Sequence, residues 1–225
     1  MDVIEALNHR FTVRAFKPDP VDAATILQIM GAATRAPSSG NTQPWELFVV
    51  GGTTLDRIRE AYEENFHKGV PMKPDIPAPV EWPPDLERRV QESRAARLRA
   101  LGVAGDGAAV RHAMTERAHQ FFGAPIVAFL CMDRTLTSWS VFDLGLLAQS
   151  IMLAAQHFSV DSAPAFLFVA YPGVIRKEVG IDADLSIVMG VALGYRDTHS
   201  LENQYRSSRR PVRDVVHLEG LPSAH

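Results

Sequence analysis

The chain of 225 residues contains one cysteine, Cys131. A single thiol excludes an intrachain disulfide and any cysteine-built metal cluster. Cys131 lies in the apolar run Ile126-Val-Ala-Phe-Leu-Cys131, where a free cysteine packs as a small hydrophobe. Basic residues are not in excess: 23 Lys and Arg face 26 Asp and Glu, for a net charge of −3 and a pI near 6.2. The electrostatic footprint of a nucleic-acid binder is missing, so no such partner is expected. No run approaches about 18 uninterrupted apolar residues. The segment Met1-Asp-Val-Ile-Glu-Ala6 has neither the basic start nor the apolar stretch of a signal peptide. A soluble, cytoplasmic protein with no membrane partner is the expectation. The eight histidines show no metal-ligand spacing and no triad. Three of them, His112, His119 and His157, fall in helical patterns and read as satisfied or solvent-facing imidazoles.

With 46% hydrophobic residues, the chain can bury a good core and reads as one domain over residues 1–225. Two segments near its start look built to hold an anion. Arg10-Phe-Thr-Val-Arg14 offers two guanidinium forks at i, i+4 with the Thr12 hydroxyl between them, a pattern suited to a phosphate. Arg35-Ala-Pro-Ser-Ser-Gly-Asn-Thr-Gln-Pro-Trp45 is a polar turn of small residues that lets backbone approach a ligand. Ser38, Ser39, Asn41 and Gln43 supply donors and acceptors there.

The spacing predicts a helix capped by Asp22 that carries Ile26, Ile29, Met30 and Ala33 on one stripe and ends before Pro37. A strand is expected over Trp45–Val50, then a helix from Thr53 to about Lys68. Six prolines between Gly69 and Pro84 exclude regular structure. Asp85–Leu101 reads as a charged exposed helix, followed by the flexible Gly102-Val-Ala-Gly-Asp-Gly107. This excursion, about residues 63–119, reads as a lid whose Trp82 meets substrate, or else as a solvated insertion with no catalytic duty. Core grammar resumes with a strand over Ile126–Cys131. Ser140–Gln156 is a helix apolar on nearly all sides, so it belongs in the middle of the fold or at a subunit interface. A short strand around Phe166–Val169, a helix from Pro172 to near Gly180 and a strand over Leu185–Leu193 complete an α+β domain. The C-terminal arm, residues 195–225, carries Gln204-Tyr-Arg-Ser-Ser-Arg-Arg-Pro211. That cluster reads as a second phosphate arm meeting Arg10, or as a solvated basic tail.

The segments Arg10-Phe-Thr-Val-Arg-Ala-Phe16, Ala36-Pro-Ser-Ser-Gly-Asn-Thr-Gln-Pro-Trp45, Asp143-Leu-Gly145, Met189-Gly-Val-Ala-Leu-Gly-Tyr195 and Arg206-Ser-Ser-Arg-Arg-Pro211 together closely resemble the nitroreductase family of FMN-dependent flavoproteins. The likeness is dense in the first fifty and last hundred residues and absent between about Glu63 and His119. It implies a central, mostly antiparallel sheet flanked by helices in an intertwined homodimer. Arg10 and Arg209 then resemble the arginines on the FMN phosphate. Thr12 lies close to that group, Arg14 near the pyrimidine edge of the flavin, and Arg206 in the same arm. Pro37, Ser38, Ser39 and Asn41 resemble the turn that reaches the FMN held mainly by the other subunit.

The activity implied is a ping-pong reduction of nitroaromatic compounds, and of quinones, by NADH or NADPH, with flavin N5 carrying the hydride and no catalytic side chain. The alternatives are an ene-reductase or reductive dehalogenase on the same fold, or a non-catalytic FMN-binding protein. One departure stands out. Where the family carries Gly and often Glu or Gln beside the flavin, this chain reads Asp161-Ser-Ala-Pro-Ala-Phe-Leu167. Backbone at Pro164, Ala165 and Phe166 is left to face the cofactor, and Phe166 narrows the site.

Overall fold

The computed structural model describes residues 2–103 and 108–221. Most of the expected flexible run, Ala104 to Gly107, lies outside the described residues. Seven helices and four strands follow in the order α1 (Val3–His9), α2 (Ala23–Ala33), β1 (Glu46–Gly51), α3 (Gly52–His67), α4 (Pro84–Ala100), α5 (Ala108–His119), β2 (Ile126–Asp133), α6 (Ser138–His157), β3 (Asp161–Ala165), α7 (Pro172–Val179) and β4 (Leu185–Gly194). The α+β class is as the sequence implied. The sheet has the order β1-β2-β4-β3, and every named pair is antiparallel. Its outer edge at β3 is joined by the segment around Thr12, which bridges Ser162 in parallel, while the Val13 N–H donates to the Ser162 carbonyl at 3.1 Å. The first arginine motif therefore runs along a sheet edge.

Strand periodicity divides the core into two layers. From β2, Val127, Phe129 and Cys131 enter a layer with Tyr62, Phe121 and Phe168, whereas Ala128, Leu130 and Met132 enter the layer packed under α2 and α6. In β4 the parity changes because Leu130 pairs with Met189 and Cys131 with Ile187, skipping Val188. This bulge lets Ile187 and Ala192 share one layer while Val191 and Leu193 share the other.

Helix α2 starts where its cap predicts: Asp22 accepts from the Thr25 N–H at 2.8 Å and the Thr25 hydroxyl at 2.6 Å. Other boundaries fall within two residues of expectation. The strand expected at Phe166–Val169 is a correction. That run is a 3₁₀ turn, and the strand is the preceding Asp161–Ala165. The apolar residues misled because Phe168 and Val169 are buried within the turn. Phe168 fills the space left by Gly190, where a Cβ would lie 2.7 Å from the Phe168 Cβ.

The proline-rich segment has no regular structure, yet it is pinned at its base. Asp75 accepts from Arg176 at 2.5 Å, Arg134 at 3.1 Å and the Ile187 N–H at 2.8 Å, while the Lys73 N–H donates to the Ala170 carbonyl. Burial alone would raise the Asp75 pKa, but these donors more than reverse it. Helix α6 buries Leu144, Leu147, Ile151, Met152 and Ala155 but leaves Trp139 76% and Phe142 60% exposed. It is the one helix among the described residues long and apolar enough to cross a membrane. Its contacts with α2, β2, β3 and β4 are those of a core helix.

His119 corrects a second expectation. It is 1% exposed, with both ring nitrogens unpartnered among the described residues, and is caged by Tyr62, Phe66 and Tyr171. Burial lowers its pKa and keeps the ring neutral.

Candidate functional site

Arg10 caps the end of α1, its N–H donating to the Ala6 carbonyl. Its guanidinium reaches the Met152 sulfur at 3.7 Å, yet Nε is buried with no partner. Burial is the main cause of its lowered pKa, followed by the charge of Arg209. No carboxylate opposes either effect. The guanidinium of Arg10, with an unmet donor and the charge of Arg209 acting on it, could hold a dianionic group. Among the described residues, Arg209 otherwise bonds only its own arm, through the Ser207 hydroxyl at 2.8 Å and the Ser207 and Ser208 carbonyls. On the same sheet edge, the Ser162 hydroxyl is also buried without a partner.

Arg14 is fixed more tightly. Its N–H donates to Asn203 Oδ1 at 2.8 Å, its Nη1 to the Thr12 carbonyl at 3.1 Å, and its carbonyl accepts from Arg117. Burial and the neighbouring Arg97 push its pKa down to about 10, with Glu202 and Tyr205 opposing. A guanidinium so placed is a concentrated positive potential. Asn203, 5% exposed, also donates from Nδ2 to the carbonyls of Ala15 at 2.7 Å and Asp197 at 2.9 Å. It locks the C-terminal arm onto the first arginine motif. Arg206 serves the same junction: its guanidinium lies 3.2 Å over the Phe11 ring and donates to the Asn203 carbonyl at 2.6 Å.

The Pro37 to Gln43 turn is held open by its own bonds. The Gln43 N–H donates to the Ser38 hydroxyl at 2.9 Å, and the Ser39 N–H to Asp143 Oδ2 at 3.2 Å. Gly40, Asn41 and Gln43 all take positive φ, at 58°, 55° and 47°. Glycine adopts that conformation freely and asparagine readily, while Gln43 is strained there. Asp143 and Met152 are nine residues apart on α6, which is about 14 Å and half a helical turn. The turn and Arg10 thus lie on different sides of the helix, and a single chain does not bring them together.

Pro164 and Ala165 end β3 opposite Val191 and Gly190. Phe166 follows, 54% exposed, and lines a largely apolar cleft of about 420 Å³ with Met72, Pro74, Pro77 and Ala170. Trp82 and α4 overhang Arg14 around a cleft of about 490 Å³. Sequence reasoning did not single out the roles of Asn203, Asp75 and Asp143. An acid inside an apolar helix was the signal available for Asp143. Asn203 and Asp75 sit in polar or irregular stretches where no pattern marks them. Cys131 is buried, and its thiol is pushed up to about 12.

A sequence profile of the nitroreductase family matches residues 7–195. The chain belongs to the nitroreductase family. It is 31% identical over 216 residues to a nitrobenzene nitroreductase of Ectopseudomonas oleovorans, covering 94% of both chains. With nitroreductase NfnB of Mycolicibacterium smegmatis it shares 32% identity over 212 residues, covering 92% and 88%. The crystal structure of FMN- and NADPH-dependent nitroreductase NfnB from Sphigopyxis sp. strain HMH superposes with a TM-score of 0.93 at 30% identity, covering 98% of this chain and all of that one. The family match stops at Tyr195. The placement of Arg206 beside the family's first arginine motif therefore rests on geometry, through Asn203 and the Phe11 ring, and that of Arg209 on the effect of its charge on Arg10.

Proposed function

We propose that the protein is a homodimeric, cytoplasmic, FMN-dependent oxidoreductase that uses NADH or NADPH to reduce nitroaromatic compounds. The observation that carries this reading is the buried Nε of Arg10, without a partner among the described residues, in a guanidinium on which the charge of Arg209 acts and no carboxylate does. Neutral ligands do not relieve two convergent guanidiniums, whereas a phosphomonoester meets both with charge-assisted hydrogen bonds. Thr12 and Ser162 add hydroxyls at the same edge. FMN, when bound, supplies two-electron chemistry, taking a hydride from the reduced nicotinamide and passing two electrons to the oxidant. In sum, a nitroarene, NAD(P)H and a proton give a nitrosoarene, NAD(P)⁺ and water.

The chain's own part is binding, orientation and electrostatics. Arg14 holds a positive charge where the pyrimidine edge of the flavin gains negative charge; its main chain is fixed by Asn203 and Arg117 and its guanidinium by the Thr12 carbonyl, which limits reorganisation. Backbone at Pro164, Ala165 and Phe166 faces the ring, and Phe166 offers an aromatic surface to the substrate. Ser38, Ser39 and Asn41 stand on the far side of α6 from Arg10, which supports their reaching the partner's cofactor and two shared sites per dimer. The exposed Trp139 and Phe142 of α6 supply apolar area for that seam.

The purified protein should be yellow and dimeric, its flavin bleached by NAD(P)H without oxygen and recoloured by nitrobenzene faster than by an enone. Colourless monomer that takes up no FMN would overturn the reading. Bleaching with fast reoxidation by the enone alone would instead make it an ene-reductase.

A further inference from the structure

Helix α4 turns one face to the cleft above Arg14. Leu86 and Val90 form its apolar part, and Arg89, Arg94 and Arg97 its charged part, at spacings that place them on one side of a helix. Trp82, 45% exposed, and Tyr205 stand at the same cleft. Four arginines, counting Arg14, line it, and no carboxylate does. They are not equally committed. Arg97 is paired with Glu202, which also holds Arg117, and Arg89 Nε donates to the Asp85 carbonyl. Arg94 has no hydrogen bond or ion pair among the described residues. An aromatic-walled, arginine-lined cleft of about 490 Å³ with an uncommitted guanidinium fits an anion carrying a planar ring.

The proposed reaction already requires such a molecule. NADH and NADPH differ only at the adenosine 2′ position. There NADH has a hydroxyl, which sites commonly meet with a carboxylate, and NADPH has a phosphate, which they meet with arginine. That phosphate adds a charge of about −1.5 to −2 near neutral pH. We propose that the α4 cleft binds the 2′-phosphorylated adenosine of NADPH, with Arg94 and Arg89 on the phosphate and Trp82 against adenine, and so makes the enzyme NADPH-selective. This rests on the reductase reading above. Because Arg14 lines the same cleft, the dinucleotide can span from α4 to the flavin edge.

The test compares kcat/KM for NADPH and NADH in the holoenzyme, beside calorimetric titration with adenosine 2′,5′-bisphosphate and with 5′-AMP. The wild-type protein should favour NADPH at least tenfold. Arg94→Ala should lower that ratio at least tenfold, mostly through KM for NADPH, with Arg94→Lys retaining part of it, whereas the distant Arg57→Ala leaves the ratio unchanged. Titration should show the bisphosphate binding at least tenfold more tightly than 5′-AMP, a result that does not depend on turnover. Equal use of NADH and NADPH, or equal binding of the two nucleotides, would overturn the cleft assignment while leaving the reductase standing. A KM shift in Arg94→Ala for 4-nitrobenzoate rather than NADPH would also overturn it, by making the cleft a site for the oxidant. Failure of the flavin to bleach with either cofactor, with the bisphosphate still bound preferentially, would instead sink the reductase reading.

Discussion

Removing Arg209 isolates the phosphate site from the fold. Its guanidinium bonds only Ser207 and Ser208 of its own exposed arm, so Arg209→Ala should change the stability of the apoprotein by no more than about 0.5 kcal/mol. The arm itself stays docked through Asn203 and Arg206, which the substitution does not touch. On the proposed assignment, what is lost is one charge-assisted partner of the FMN phosphate. A hydrogen bond to a charged group contributes about 1.5 to 3 kcal/mol, which at about 1.4 kcal/mol per decade weakens FMN binding roughly 10- to 150-fold. The repulsion that depresses the Arg10 pKa also disappears, so the loss should fall toward the lower end. Quenching of FMN fluorescence on titration gives the affinity, and thermal melts of apoprotein give the stability. The wild-type affinity should also weaken with salt more steeply than that of the variant. Unchanged FMN affinity with an unchanged melt would refute the pairing of residues 10 and 209 around a phosphate.

Arg14→Ala should make the two-electron potential of the bound flavin more negative by tens of millivolts, at ~30 mV per 1.4 kcal/mol; equilibration with a reference dye reads the shift, and an unmoved potential would place Arg14 away from the ring. Asp75→Ala should cost about 3 kcal/mol, because it strands the largely buried Arg176, and urea melts measure it. Since the folded pKa of Asp75 is depressed, its contribution is present above the unfolded value of about 3.9 and fades as the pH falls through the folded one. His119→Leu should be neutral or stabilising, since two unpartnered nitrogens leave the core. Folded His119 resists protonation, so wild-type stability should fall as pH drops below about 6.5. The variant should lose that slope, and identical pH profiles would show that the ring finds a partner.

The sequence was legible wherever local chemistry decides structure. Asp22 capped its helix as read, β1 followed from apolar alternation and β2 from an apolar run, and β4 fell where a strand was expected. Helix α7 ran from Pro172 to a left-handed Gly180 at φ 79°. Legibility failed where tertiary context overrides local signal. Phe166-Leu-Phe-Val169 has strand composition, yet the real strand is the unpromising Asp161-Ser-Ala-Pro-Ala165, because pairing with β4 leads straight into a turn that drops Phe168 onto Gly190. His119 looked ordinary because only distant Tyr62, Phe66 and Tyr171 make its cage.

The candidate site divides along the same line. Its charged residues announced themselves as short motifs, but the groups that hold them are single polar side chains 100 or more residues away. Asn203 bonds the Arg14 N–H and the Ala15 carbonyl, and Asp143 bonds the Ser39 N–H. Asn203 sits in a polar stretch where no spacing marks it, whereas Asp143 was marked only as an acid inside an apolar helix. Helix α6 joins both regimes, since its all-round apolarity predicted either burial or an interface, and one face is buried while Trp139 and Phe142 stay exposed. A helix apolar on two sides within one chain leaves its second side for a second chain. Phe142→Glu should dissociate the proposed dimer and release FMN together, because on that reading the turn at Ser38 to Asn41 then loses the partner's cofactor. Monomer that keeps full FMN affinity would mean that each chain builds its site alone.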